Sequence, residues 1–432
     1  MAKREPNGRL RTLLTDARWS GQDFARAVNG VAAEAGLTLR YDRTSISHWL
    51  AGTRPPAHVV ALAAEALSRR TGRRISPAET GLARPAGVRA PDRPDAGPDG
   101  ADVLALLGEV PVYSSAWRPP GWPPPDGTGT PGRPSGRIGP DHVAAAEAVL
   151  PVFRSADMMF GSGLARPALT RYLATTVTPW LRAGAAPAVR HRLLGCAARL
   201  AYTAGFLCFD GNQQGVAQAY YRAGLRLGQE AGDPGCWAPV LRAMSVQAHH
   251  LGHRRQAWEL AEAAAREAGR LPSLQAAFVT GQLAVAEAAC GDRRAAVAHL
   301  AEAERLLERS DGQRTAIGDY HHSALAHQQA EALAALGDVR GAIAALGTSL
   351  RRRPPGERRA RAVTLARLAE LHLNQGHVER ACASWHEMLD AVPQLDSARV
   401  DDAVRRLRGR LQPVRGNHTA RALLARACAL TR

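Results

Sequence analysis

The sequence predicts an all-α protein with a small N-terminal head, a linker and a large C-terminal body built from helical repeats. Short amphipathic segments, several with helix-capping residues, fill the first part of the chain. A Pro- and Gly-rich stretch follows, and glycine–alanine pairs then recur at intervals of 39, 46 and 39 residues. We therefore divide the 432 residues into a head (1–85), a linker (86–137) and a body (138–432).

The head is predicted to contain five short helices. Ser20 is the N-cap of the second helix, and Asp23 stands in a position typical of a capping box. Ser76 caps the fifth helix, with Pro77 at the first helical position. The predicted segments are Gly8 to Arg18, Ser20 to Gly36, Asp42 to Leu50, Val59 to Arg70 and a short one that begins at Ser76.

The third segment has a marked start and a marked end. Asp42 is its N-cap, because the carboxylate can accept hydrogen bonds from the free amides of the first turn. Ile46, Trp49 and Leu50 form one apolar side, and Gly52 with the two prolines after it ends the helix. Taken alone, this pattern fits an ordinary amphipathic surface helix as well as a helix that reads DNA.

The opposite side of the third segment carries groups that donate and accept hydrogen bonds. We interpret Arg43, Thr44, Ser45 and His48 as contacts to base edges in the major groove, and Arg54 as a phosphate contact. Arginine pairs with guanine, whereas threonine and serine can serve any base. The alternative is that only some of these side chains reach the bases.

The order of the helices and two short motifs resemble the Cro/repressor-like (XRE) helix-turn-helix family. The motifs are Trp49-Leu50-x-Gly52-Thr-Arg54-Pro55 and Ala66-Leu67-Ser-Arg-Arg. The sequence is most similar to the actinobacterial variant with a lengthened second helix, and the resemblance implies a helix-turn-helix head that binds double-stranded DNA. Glutamate usually stands in that family where this chain has Leu50, so the glutamate contacts of the family are not carried over.

The charge of the chain favours a polyanionic partner. The net charge is +17, and residues 1–89 hold fifteen Lys or Arg against seven Asp or Glu, a local excess of +8. Lys3 is the only lysine, so part of the arginine excess indicates coding bias from a GC-rich genome. Arginine nevertheless suits bidentate contacts to guanine and phosphate.

The linker is rich in Pro, Gly, Arg and Asp, and such a segment cannot bury enough apolar surface to offset its ordering entropy. Asp102 to Val112 is a candidate for one short docked element. Trp117 and Trp122 are predicted to pack loosely on the body, and no function is assigned to them.

The remaining composition indicates a cytoplasmic protein without a cofactor. Six cysteines without a C-x-x-C pair predict reduced, packed thiols. His249 and His253 are four residues apart, but no third ligand is near in sequence, so we predict no metal. The N-terminus lacks an apolar signal core and no run of eighteen apolar residues occurs, so we expect no membrane segment and association with the nucleoid when DNA is bound.

Four copies of Gly-x-x-x-x-Ala organise the body, and they begin at Gly252, Gly291, Gly337 and Gly376. Each glycine is predicted to end a helix in the left-handed conformation. A small residue seven positions earlier is predicted to lie where two helices cross, namely Ser245, Ala284, Ala330 and Ala369. A fifth, looser copy fits between Gly205 and Ala217 if one residue is inserted in the turn. Two closing helices are predicted at the end, with a solvent-facing row at Arg405, Arg406, Arg408 and Arg410.

The repeat resembles tetratricopeptide repeats with a longer period than usual, which implies an α-solenoid with a concave inner face. The register of that family places seven residues there, namely Arg242, His249, His250, His327, Glu331, Glu370 and Asn374. We interpret them as a groove for a peptide, small-molecule or protein effector. The alternative is a merely solvated inner face.

Together these features predict a sequence-specific DNA-binding transcriptional regulator that forms a homodimer. The chain resembles actinobacterial regulators that join an XRE-type head to a tetratricopeptide-like body, several of which influence differentiation or secondary metabolism. The alternative is a protein-interaction scaffold whose head does not bind DNA. We expect no enzymatic activity, because the Walker-type, nucleophile-elbow and HExxH motifs are absent from the sequence.

Overall fold

The computed structural model describes residues 6–83, 113, 137–310 and 320–430. Almost all of these residues lie in α-helices, which confirms the all-α fold with helical repeats. The predictions for Asp102 to Val112, Trp117 and Trp122 concern residues that lie outside the described ranges.

Residues 6–83 of the head contain four helices around their own core: α1 (Gly8–Asp16), α2 (Gly21–Glu34), α3 (Arg43–Leu50) and α4 (Ala57–Thr71). The capping box of Ser20 and Asp23 at the start of α2 is present as predicted. The largest fully buried side chains of this core are Leu10, Phe24, Ile46, Leu62, Leu67 and Leu82.

The fifth predicted helix of the head is a single hydrogen-bonded turn. The Ser76 amide donates to Oε2 of Glu79 at 2.7 Å, and the Glu79 amide donates to Oγ of Ser76 at 3.3 Å, so the capping interactions form. The helix does not continue, because Gly81 takes a left-handed conformation (φ +67°) and Leu82 enters the core. The capping residues therefore form one turn, which ends at Gly81.

The body begins with a two-stranded element and three helices. Strand β1 (Arg137–Ile138) pairs in parallel with β2 (Gly184–Ala185). Between them lie α5 (Pro140–Phe160), α6 (Ser162–Tyr172), a π-helical segment (Leu173–Val177) and α7 (Thr178–Arg182).

Helical hairpins form the rest of the body. They pair α8 (Pro187–Asp210) with α9 (Gln214–Glu230), α10 (Pro234–His250) with α11 (Arg254–Ala265), α12 (Ser273–Cys290) with α13 (Arg293–Glu308), α14 (His322–Ala335) with α15 (Val339–Arg352), and α16 (Arg358–Asn374) with α17 (Val378–Ala391). The closing helices are α18 (Ala398–Leu411) and α19 (His418–Ala429). Short 3₁₀ turns lie at Ala268–Arg270, Val392–Gln394 and Gln412–Val414.

The repeat glycines have the predicted geometry. Gly252, Gly291, Gly337 and Gly376 all have left-handed φ angles between +78° and +89°. The alanines five positions after these glycines are fully buried. The small residues seven positions before the glycines are at most 1% exposed. In the hairpin of α10 and α11 the Ser245 hydroxyl donates to the carbonyl of Ala257 at 2.7 Å, which marks the close helix crossing.

The first hairpin fits the repeat without the inserted residue that we had expected. Asn212, with φ +57°, takes the left-handed position that glycine holds in the other hairpins. Gly205 stands seven residues before it and Ala217 five residues after it, as in the other copies. A Cβ at Gly205 would lie 2.6 Å from the Tyr221 ring, so this small residue also marks a helix crossing.

Helix α8 is apolar enough and long enough to be compared with a membrane span. It is the single such helix in the described ranges, and 89% of its most apolar window is buried inside the body. Its apolar residues are therefore accounted for by packing within the repeats.

The two ends of the body contact each other through a buried polar cluster. Arg359 on α16 donates to Oδ2 of Asp157 on α5 at 2.9 Å, and its guanidinium lies 3.6 Å from Asp210 at the end of α8. The hydroxyl of Ser397, just before α18, donates to the same Asp210 carboxylate at 2.9 Å. The row of hairpins therefore curves until its first and last parts meet.

The head packs on the body through α4. Oε1 of Glu65 lies 3.0 Å from Nε2 of His253, in the turn between α10 and α11, and both side chains are at most 5% exposed. Tyr113 stacks on the His253 ring at 5.4 Å, and its hydroxyl donates to Oε1 of Gln256 at 2.9 Å. One residue of the sequence-predicted linker therefore lies in this interface.

Candidate nucleic-acid interface and effector groove

The start of α3 is fixed by the predicted N-cap. The Asp42 carboxylate accepts hydrogen bonds from the backbone amide and the hydroxyl of Ser45, both at 2.8 Å. These bonds lower the pKa of Asp42. The Ser45 hydroxyl is thus engaged in the cap, although its lone pairs can still accept from a base.

The direction of α3 is set by its buried side. Ile46 and Trp49 are buried and Leu50 is half-buried, as the pattern predicted. The Trp49 ring contacts the edge of the Tyr41 ring at a centroid distance of 4.9 Å. The Asn29 side chain donates to the Tyr41 carbonyl at 2.9 Å and accepts from the Tyr41 amide at 3.0 Å, which holds the segment that leads into α3.

The outer side of α3 carries the residues predicted to contact DNA. Arg43, Thr44 and His48 are exposed, Ser45 is half-buried, and Arg54 is exposed just after the helix. Neither Arg43 nor Arg54 forms an ion pair with any residue in the described part of the chain. Both guanidinium groups are thus available to a polyanion.

Gln22, which no sequence pattern singles out, lies beside this surface. Its Oε1 accepts a hydrogen bond from the Arg43 amide at 3.3 Å, so the first turn of α2 meets the first turn of α3. The Ser20 cap indicated where α2 begins, but its contact with α3 depends on the tertiary fold.

Packing of the head on the body leaves α3 accessible. The interface uses Glu65 of α4, and Arg69 of the same helix holds Glu65 and Glu34 at 2.8 Å each. Arg43, Thr44 and His48 of α3 stay exposed although the head packs on the body.

Six of the seven predicted groove residues line one cavity of ≈ 390 Å³ on the inner side of the hairpins. They are Arg242, His249, His250, His327, Glu331 and Glu370. Asn374 is exposed at the end of α16 and accepts a hydrogen bond from Arg410 at 3.1 Å instead. The register of the repeat thus brings together all but the last of the predicted positions.

The carboxylates of this groove are paired within it. Arg367 donates to Glu331 at 3.0 Å and lies 3.6 Å from Glu370, and Arg406 donates to Glu370 at 3.2 Å. Arg406 therefore lines the groove while about half of its side chain stays exposed. Of the solvent-facing row predicted for the closing helix, Arg405, Arg406 and Arg410 are exposed, whereas Arg408 is half-buried and donates to the Ala427 carbonyl.

The missed arginines have a signal in the sequence. Arg367 follows Glu331 by 36 residues, Arg406 follows Glu370 by the same interval, and so does Arg410 after Asn374. In these three cases the arginine contacts the polar residue that stands 36 positions earlier on the preceding inner helix.

Burial lowers the pKa of each of the three groove histidines, to about 4 for His327. The largest cause is desolvation, which disfavours the charged imidazolium, and nearby arginines lower each pKa further. These side chains are thus neutral at pH 7 and offer one donor and one acceptor each.

Across the described ranges, no three His, Cys, Asp or Glu residues are arranged as metal ligands. His253 contacts Glu65 of the head, away from His249 in the groove. All six cysteines are free, and four of them are buried.

Comparison with known proteins gives one family for the head. Residues 10–83 match the family described as the SP15 N-terminal domain. No curated protein matches the chain. A solved structure, described as "Crystal structure of BtubC (BKLC) from P. vanneervenii", is similar with 14% identity and a TM-score of 0.33, and the match covers 58% of this chain and 89% of that one. A likeness at this TM-score supports no conclusion about function.

Proposed function

We propose that this protein is a sequence-specific DNA-binding transcriptional regulator, with a head that reads double-stranded DNA and a body that senses an effector, forms the homodimer, or both. The observation that carries the proposal is the outer side of α3. There, exposed Arg43, Thr44 and His48 stand on a helix whose start is capped and whose other side is buried.

The dimensions and chemistry of α3 suit the major groove. A helix fits a groove about 12 Å wide, and eight residues extend for about 12 Å along the helix axis. The arginine and the hydroxyl groups lie in its first turn, from which a recognition helix contacts base edges. Arg54, just beyond α3, can contact the phosphate backbone and set the register.

The position of the head supports a role for the body in controlling DNA binding. Helix α4 is held on the body while α3 is exposed, so a shift of the hairpins would move the reading helix. In a homodimer, two heads would read half-sites about 34 Å apart or a multiple of that distance. By resemblance to the actinobacterial regulators, the genes controlled would belong to differentiation or secondary metabolism.

The experiment is selection of DNA by the full-length protein from a random-sequence pool, repeated at several salt concentrations. We expect an enriched palindrome and a steep loss of affinity with salt. The matched control is the triple variant R43A/T44A/H48A, which leaves the cap and the buried side intact and should lose the enrichment.

If no sequence is enriched at any of the salt concentrations, DNA recognition is contradicted. The body would then be the functional part, and the protein-interaction scaffold would become the better description. Capture of a protein partner by the body with the head dispensable would support that outcome.

A further inference from the structure

A second cavity of ≈ 180 Å³ lies in the body beside the contact that joins its two ends. Arg359, which binds Asp157 in that contact, also lines the cavity. Its aromatic wall is formed by Tyr202, Phe206, Phe278 and Tyr320. A cavity of about 150 Å³ accepts one benzene molecule, so this one has room for a single ring with a small substituent.

The carboxylates that line this cavity already have cationic partners. Asp157 accepts from Arg359 at 2.9 Å. Glu357 lies 2.6 Å from both Arg353 and His321. Neither carboxylate is left to balance another positive charge.

Arg242 lines this cavity as well as the groove, and it has no such partner. Within the described residues, no Asp or Glu lies within ion-pair distance of its guanidinium, and its buried Nε has no hydrogen-bond partner. The guanidinium stacks on the Phe278 ring at 4.0 Å. Arginine stays protonated even when buried, so an uncompensated positive charge borders the cavity.

The lining of this cavity also contains buried acceptors without donors. Oε1 of Gln275 and Oδ1 of Asp157 have no hydrogen-bond partner among the residues that the structure describes. Buried polar atoms are nearly always hydrogen-bonded, so these two acceptors fit a hydroxyl group on a bound molecule.

We propose that this cavity binds a hydroxylated, single-ring organic monoanion, with its carboxylate on Arg242 and its ring against the aromatic wall. Aromatic walls favour a ring over a compact inorganic anion, and the guanidinium of Arg242, which has no ion-pair partner among the described residues, matches one carboxylate. The inference deepens the proposed regulatory function and rests on it, because it names the chemical class of effector that the body would sense.

The test is titration calorimetry of the full-length protein, without DNA, with 4-hydroxybenzoate and with its neutral analogue 4-hydroxybenzyl alcohol. We expect saturable binding of the acid and at least tenfold weaker binding of the alcohol. Because no DNA is present, a failure here is distinct from a failure of DNA selection.

The variant R242M removes the charge and keeps an apolar side chain of similar length, and we expect at least tenfold weaker binding of 4-hydroxybenzoate. R294M is the matched control, since Arg294 is exposed on α13 and lines neither cavity, and this variant should leave the affinity unchanged. If R242M does not fold, the comparison of acid and alcohol on the unaltered protein decides. No saturable binding of the acid, equal affinity for both compounds, or unchanged affinity in a folded R242M overturns the proposal.

Discussion

Gly252 of the body lies directly against the backbone of Arg69 in the head: a Cβ at position 252 would stand 2.9 Å from the Arg69 carbonyl oxygen. Gly291 has nearly the same φ, +89° against +87°, but no atom lies within 4 Å of where its Cβ would be. Both glycines have a left-handed φ angle, but Gly252 contacts the head and Gly291 does not. They therefore form a matched pair for measuring the contact between head and body.

We predict that G252A lowers the free energy of unfolding more than G291A does. Each substitution forces alanine into the left-handed region, at a cost of about 1–2 kcal/mol. G252A adds a steric conflict with the Arg69 carbonyl, which is backbone and cannot rotate away. Urea denaturation of both variants measures the difference, and equal losses would show that the head does not rest on this turn.

A second prediction concerns the buried contact of His253 with Glu65. H253A should weaken packing of the head by about 1–3 kcal/mol, because a buried carboxylate loses one hydrogen-bond partner. We expect faster hydrogen exchange in α4 and in the turn between α10 and α11. H322A is the control, since His322 is exposed at the start of α14. Unchanged exchange in α4 of H253A would contradict the contact.

Local signals explain why much of the fold could be predicted from sequence. Asp42 caps α3 through a residue only three positions away, and the left-handed turn at Gly337 depends on the glycine itself. The prediction of a fifth helix was wrong for a local reason as well. The Ser76 cap was recognised, but the end of the turn at Gly81 was not.

Contacts that depend on how distant segments meet were not predictable in the same way. Glu65 and His253 are 188 residues apart, and no periodicity relates them. The groove is an intermediate case, because the repeat register located His327 and Glu331 but not the Arg406 that comes from the closing helix. The second cavity depends on closure of the body through Arg359, which the repeat alone does not encode.

The third prediction separates base contacts from phosphate contacts in the head. R43A should weaken binding to the selected sequence by about 1–3 kcal/mol and relax one base preference. R54A should weaken binding to all sequences alike and reduce the salt slope by about one. R294A is the control, an exposed arginine on α13 of the body. If R43A weakens binding to every sequence equally, Arg43 contacts phosphate and not a base.

The fourth prediction follows from the lowered pKa of His327. In the unfolded chain His327 takes up a proton as the pH falls below its ordinary pKa of 6.5. In the folded protein its pKa is about 4. The unfolded state therefore binds more protons between these values, and stability is lost as the pH falls from 6.5 towards 4.

Replacing His327 tests this directly, since H327Q cannot take up the proton in either state. The loss of unfolding free energy between pH 7.5 and pH 5 should be smaller in H327Q than in the unaltered protein, by at most about 2 kcal/mol. Chemical denaturation at the two pH values measures it. Exposed His322 provides the control H322Q, which should show the same loss as the unaltered protein. An equal loss in H327Q would mean that the His327 ring reaches solvent through the groove, because desolvation is the largest cause of its lowered pKa, ahead of the nearby arginines.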